Sequence, residues 1–345
     1  MKIITCASYH GTGSSALTDL VTEYNGVKSL GEYEFPFLYA MDGVSDLEFH
    51  LVQCKDRHWS GYALQRFERM SKFNAGNWFN KRYEPYFGNR YWLLTKEYID
   101  SLIDIQVPGS CFYAEYDKGV YYYYLKRIWV KLLKKLHIKL SEKKSSIYYS
   151  QPTEEEFLKK TRSYTRKLFA STVIDNTDVL MIDQLIASSN VERCMRYVDD
   201  NLFVFIVDRD PRDVYLSNKY IWKEAIVPSD PYEYCKWFKI THNCENVKDI
   251  KHKRVKRLFF EDLIYRYDST VKEIEEFCGI KPCDHIAQFS KLNPRRSVVN
   301  TRLWEKFDDE NVKVIEKVLC EYLYDYNGVD LKNIKGVETK ENNLF

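Results

Sequence analysis

The chain has 345 residues, 45% of them apolar and 16% aromatic, which excludes wholesale disorder and is enough to bury a sizeable core. Lys plus Arg number 52 against 50 Asp plus Glu, and a net charge of +2 speaks against a general nucleic-acid binder, so any anion site must be local. The nine cysteines include no CxxC pair and read as reduced, mostly buried thiols.

The chain opens on Lys2-Ile3-Ile4-Thr5, which reads as a strand. No basic segment followed by a long apolar run precedes it, so no signal peptide is expected. No stretch approaches the ~18 apolar residues of a membrane span, and the expected location is the cytoplasm. After the strand comes a loop, Ser8 to Ser15, and then a helical pattern with Leu17, Leu20 and Val21 on one face. Strand, Gly-containing loop and helix in that order make a phosphate-binding unit.

Residues from about 44 to 105 read as helical and aromatic. Trp59, Tyr62, Phe67, Phe73, Trp78, Phe79, Tyr86 and Trp92 are expected mostly in the core. Residues 121–140 place Trp129, Leu132, Leu133 and Leu136 at helical spacing among Lys126, Arg127, Lys131, Lys134, Lys135 and Lys139. This predicts a basic amphipathic helix, either a solvated surface helix or one that touches an anionic substrate or a membrane surface. A helix is expected at about 154–171, and buried strands at 179–182, 202–207 and 255–260. Helices follow at about 269–278 and 309–324, and the last fifteen or so residues are polar. Strands separated by helices predict an α/β fold, with a central parallel sheet flanked by helices. The expected arrangement is one domain over 1–330, a large helical insert at about 44–175, and a polar tail at 331–345.

A phosphate needs several backbone N–H donors aimed at one point, and glycines permit that approach. Gly11, Thr12, Gly13, Ser14 and Ser15 supply glycines and hydroxyls at a helix start. The nucleotide-hydrolase loop GxxxxGKS/T would place Lys where Ser14 stands and Gly where Ser8 stands, which disfavours an ordinary ATPase or GTPase. The dinucleotide pattern GxGxxG also fails, because position 16 is Ala and no acidic residue is obviously placed on a second strand end. A second stretch, Asp208-Arg209-Asp210-Pro211-Arg212-Asp213, follows the strand ending at Val207. Asp210 suits an N-cap and Pro211 a first helical turn. Arg209 is expected at the strand's carboxyl end, where α/β ligands bind, and Ser217 lies about two turns into the helix. An Arg fork and a hydroxyl can grip a phosphate together. Arg212 reads as a surface ion pair.

At this point the chain resembles the family of sulfotransferases that use 3′-phosphoadenosine 5′-phosphosulfate (PAPS). The resemblance implies that Thr12, Gly13, Ser14 and Ser15, with Gly11, hold the 5′-phosphosulfate. It implies that Arg209 and Ser217 hold the 3′-phosphate. Phe260-Glu261-Asp262-Leu263 resembles a downstream segment whose aromatic, here Phe260, lies near the adenine. Ser297 to Trp304 resembles the family's bacterial C-terminal segment. The matches occur in the family's order, across 2–22 and about 175–305. They imply a P-loop-like sulfotransferase fold, PAPS as co-substrate, its product 3′-phosphoadenosine 5′-phosphate (PAP), and no metal.

One position departs from the family. Where members carry Lys or Arg to stabilise the bridging oxygen, this chain has Gly11. His10 is the nearest basic residue and the candidate substitute, a basic residue from elsewhere being the alternative. Candidate bases for the acceptor proton are His10, Glu32, Glu34 and His50. Two other readings stay open: a nucleotide-type kinase with a degenerate loop, and a protein that binds PAPS or PAP without catalysis. The aromatic and basic insert points to an extended polar acceptor such as a glycan or glycolipid.

Overall fold

The computed structural model describes residues 1–31, 33–56, 58–109, 112–136, 145–173, 177–223, 226–242 and 252–329. Among them seven strands are found: β1 Lys2–Cys6, β2 Val27–Ser29, β3 Ile105–Gly109, β4 Ser145–Tyr149, β5 Val179–Asp183, β6 Leu202–Asp208 and β7 Val255–Phe259. The longer helices are α1 Ser14–Thr22, α2 Trp59–Ala75, α3 Arg90–Leu102, α4 Val120–Lys135, α5 Glu154–Ala170, α6 Pro211–Leu216, α7 Pro231–His242, α8 Phe260–Tyr265, α9 Tyr267–Cys278 and α10 Asn311–Val318. The chain divides into two compact units.

The first unit comprises residues 1–36, 173–195 and the described residues from Asp199 on. It holds a five-stranded sheet in the order β2-β5-β1-β6-β7, with every pair parallel. This is the expected α/β architecture. Its central strands read as continuous apolar runs because helices cover both faces, leaving no solvated side for a polar alternation. All five residues of β5 are buried. Ile4, Cys6, Phe205, Val207 and Leu258 pack with Leu17, Leu20 and Val21 of α1 and with Leu263, Ile264 and Ile274 of α8 and α9 in one core. A second core joins Val214, Tyr215 and Leu216 to Tyr234, Phe238, Leu303 and Ile315. The short edge strand β2 carried no apolar run to announce it.

The second unit, residues 37–172 with 196–198, is mainly helical and carries the antiparallel pair β3–β4. A capping box between Thr153 and Glu156 starts α5. The core here is built largely from tyrosines. Tyr98 and Tyr164 stack at 4.7 Å, and their hydroxyls pair with Thr161 and Thr95 at 2.7 and 2.8 Å. Buried Glu48 receives Arg196 at 2.7 Å and the Tyr197 hydroxyl at 2.5 Å. The expectation that the aromatics of 44–105 are mostly core is corrected. Tyr62 and Phe67 are buried, but Phe73, Trp78 and Phe79 are exposed and Trp59, Tyr86 and Trp92 only partly covered. Helix α2 ends at Gly76, which takes a positive φ of 83°, and the turn that follows carries Trp78 and Phe79 into solvent. Strands β3 and β4, inside stretches read as helical or left unassigned, carry weak patterns: β3 contains Pro108 and Gly109, and its side chains are largely exposed.

Candidate functional site

Three adjacent strands, β1, β6 and β7, each end in a stretch singled out from the sequence. Parallel pairing puts their carboxyl ends on one edge, so segments some 200 residues apart meet there.

From β1 the chain turns through Ala7 to Gly13 into α1. Gly11 and Gly13 take φ of 74° and 81°, a left-handed backbone that side-chain-bearing residues rarely adopt. Gly13 is the N-cap of α1, and among the described residues no side chain caps that end. The first N–H groups of the helix therefore have no side-chain acceptor, which is the geometry that favours an anion. Thr12 is buried, and its hydroxyl donates to the Tyr9 carbonyl at 3.0 Å. It braces the loop, while Ser14 and Ser15 are half-buried in the first turn.

A side chain fits at neither glycine. A Cβ at Gly13 would lie 2.8 Å from Cδ2 of Phe260, and one at Gly11 2.7 Å from the ring of Trp222. The departure at Gly11 is thus built into the packing: no Lys or Arg can stand there while Trp222 keeps its place. Gly13→Ala is expected to destabilise the protein by about 1–3 kcal/mol through left-handed strain and overpacking. Urea unfolding checks this, and an unchanged midpoint would show that the loop does not need its left-handed turn.

Strand β6 ends at Asp208, and Asp210 caps α6 by accepting from the Arg212 amide at 2.9 Å. Helix α6 continues as a wider turn, Ser217–Trp222, which carries Trp222 to the loop. Arg209 is 2% exposed and Ser217 fully buried. One Arg209 Nη donates to the Gly11 carbonyl at 3.0 Å, and the other to Ser217 Oγ at 3.0 Å and the Asn300 carbonyl at 2.6 Å. Its buried Nε has no hydrogen-bond partner among the described residues. Phe260 lies under the guanidinium at 5.3 Å, with its ring against Gly13. At 4% exposure Phe260 supports the loop and Arg209, and its neighbour Phe259 packs on Tyr324.

Buried carboxyls surround these cations. Asp213 accepts from the amides of Arg302 and Leu303 at 3.0 and 2.7 Å, tying segment 298–305 to the β6–α6 turn. Burial raises Asp213 to about 7 against the pull of Arg209. Burial also pushes Glu261 well above the usual carboxylate range and Asp208 up to about 6, the latter opposed by Arg257. With these carboxyls held toward neutrality, the site is less negative than its formal count. The reading of Arg212 as a surface pair is corrected. It is buried, bound to Asp210 and to Glu316 at 2.5 Å, and its guanidinium lies 3.7 Å from the centre of the Trp304 ring.

His10 sits half-buried in the loop, its ring edge-on to Trp222 at 6.1 Å. The preceding Tyr9 stacks at 3.8 Å on His242, whose burial lowers it to about 4 and keeps it neutral. Glu34 is exposed and adjoins Phe35, whose amide reaches the Asp183 carbonyl at the carboxyl end of β5. Glu32 lies outside the described residues. His50 belongs to the second unit and lines a cavity there of about 320 Å³ with Asp42, Asp46 and Arg66. Sequence reasoning missed the roles of Trp222, Asn300 and Asp213. No local pattern marks a residue whose part is to wedge a glycine or accept from a distant guanidinium.

No family model matches this chain, and no curated protein matches it. Among solved structures, it is similar to the sulfotransferase domain of an olefin synthase from Synechococcus PCC 7002, at 11% identity and a TM-score of 0.42, covering 94% of each chain. It is similar to a sulfotransferase from Mycobacterium avium at 10% identity and a TM-score of 0.38, covering 93% of this chain and 75% of that one. A retinol dehydratase bound to androsterone and inactive cofactor PAP matches at 12% identity and a TM-score of 0.35, covering 96% and 82%.

Proposed function

We propose that this protein is a sulfotransferase that takes the sulfuryl group from PAPS and passes it to a hydroxyl or amine acceptor, a glycan or glycolipid, with PAP as product. The observation that carries the reading is Arg209. One buried guanidinium touches the Gly11 carbonyl, Ser217 and the Phe260 ring, joining the three stretches that the resemblance assigns to one nucleotide. Its unpartnered Nε beside the Ser217 hydroxyl is a donor pair that fits a phosphate.

In this reading Arg209 and Ser217 hold the 3′-phosphate, and Gly11 to Ser15 hold the phosphosulfate at the N-terminus of α1. Bound there, PAPS would supply the sulfuryl group for in-line transfer. The chain's own part is to position the donor, exclude water and stabilise charge, as in phosphoryl transfer. His10 holds a proton toward the bridging oxygen, and Glu34 or Glu32 takes the acceptor's proton. The packing of Trp222 against Gly11 also favours a second reading, a protein that binds PAPS or PAP without turnover.

Nucleotide choice tests the donor site. PAP is expected to bind at least about tenfold more tightly than AMP, since only PAP offers a 3′-phosphate to Arg209. Calorimetry measures both. Equal affinities would point to a general adenine-nucleotide site, and turnover of ATP with Mg²⁺ would then favour a kinase. PAP release from PAPS separates the enzyme from the silent binder.

A further inference from the structure

Helix α4, Val120–Lys135, has no buried residue along its sixteen positions. It is about 24 Å long at 1.5 Å per residue. Its partly covered side carries Tyr123, Lys126, Val130 and Leu133. At 100° per residue, Tyr121, Leu125, Ile128, Trp129, Leu132 and the following Leu136 share another face. That face is turned outward: Tyr121 is 86% exposed and the other five 49–66%. Lys126 borders the apolar face on one edge and Lys131 and Lys135 on the other, with Arg127 and Lys134 on the far side. The helix contains five cations and no acidic residue. Lys126 is paired with Glu115.

Water is a poor neighbour for so large a contiguous apolar face. We infer that α4 lies in the plane of an anionic membrane surface, its apolar face among the acyl chains and its lysines among acidic headgroups. Trp129 and the tyrosines are suited to the headgroup boundary. The charge chooses this occupant. A second copy of the helix would bring like charges together along both edges. A small anionic ligand would leave the apolar face in water. The helix is too short and too charged to cross the bilayer, so it lies on the surface. The inference does not depend on the donor-site reading.

The test is flotation of the full chain with vesicles of phosphatidylcholine, with or without about a third phosphatidylglycerol. Binding to the anionic vesicles and little to the neutral ones is expected. Lys131→Gln with Lys135→Gln, the two lysines along one edge of the apolar face, should weaken binding about 25-fold, about fivefold per charge. This variant leaves the apolar face intact, so a folding defect is not expected. Leu125→Ser with Leu132→Ser should abolish flotation while the unfolding temperature of the chain holds. Binding should also blue-shift the tryptophan emission, and the shift should disappear in Trp129→Phe. No flotation of the native chain, equal binding to both vesicles, or an unchanged Lys131→Gln, Lys135→Gln variant would overturn the inference. So would a stable dimer in light scattering that Leu125→Ser with Leu132→Ser dissolves, which would assign the face to a second copy.

Discussion

Arg209→Ala is expected to weaken PAP binding by roughly 1.5–3 kcal/mol, about ten- to a hundredfold or more in Kd. The magnitude is that of a charge-assisted hydrogen bond to a phosphate in a site closed to water. Arg209 is 2% exposed, its Nε has no partner among the described residues, and Ser217 Oγ stands 3.0 Å from its Nη. The substitution also removes bonds to the Gly11 and Asn300 carbonyls, so some loss of stability accompanies it. Circular dichroism and urea unfolding establish that the variant folds, and calorimetry then gives the affinity. Ser217→Ala, which keeps the guanidinium, should show the smaller loss of one hydroxyl partner. A folded Arg209→Ala protein with unchanged PAP affinity would remove the main support for the donor site.

His10→Ala is expected to reduce donor turnover about 10²–10³-fold while PAP affinity stays near that of the native protein. The reason is steric as well as electrostatic. The position that would carry a Lys or Arg is Gly11, whose left-handed backbone and contact with Trp222 leave no room for one. A cation at the bridging oxygen must then come from elsewhere, and His10 is the adjoining residue of the loop. A group that acts only on the transition state changes the rate and not the affinity of the product, so the two readouts separate catalysis from packing. PAP release from PAPS measures the first, with and without an added acceptor. Undiminished turnover would acquit His10 and turn attention to Arg257, which pairs with Asp208 at the end of β6. An inactive native protein that still binds PAP would favour the silent binder.

Much of this was legible in the chain. The strands β1, β5 and β6 were readable because a buried parallel strand must be apolar on both faces. Asp210 and Pro211 marked the start of α6 because capping chemistry is local. The exposed aromatics of the second unit misled for the converse reason. Composition says that Trp78 and Phe79 are apolar, and only the course of the chain after Gly76 says which way they face. Tyr83, Tyr91, Tyr98 and Tyr164 look like surface-tolerant residues until Thr95 and Thr161 satisfy two of their hydroxyls inside the core.

By itself the sequence determined the α/β class, the phosphate-type loop at Gly11 to Ser15 and the Arg209–Ser217 spacing, because each depends on residues close together in the chain. Only the tertiary structure decided which distant residues share a site. Parallel pairing of β1 with β6 and β6 with β7 is what brings Gly11, Arg209 and Phe260 into contact. It also decided that Arg212 is buried against Asp210, Glu316 and Trp304, and that Trp222 closes the space over Gly11. Burial and steric exclusion are properties of neighbours up to about 250 positions away, brought close by the cooperative burial of the sheet's apolar faces, and no local pattern encodes them.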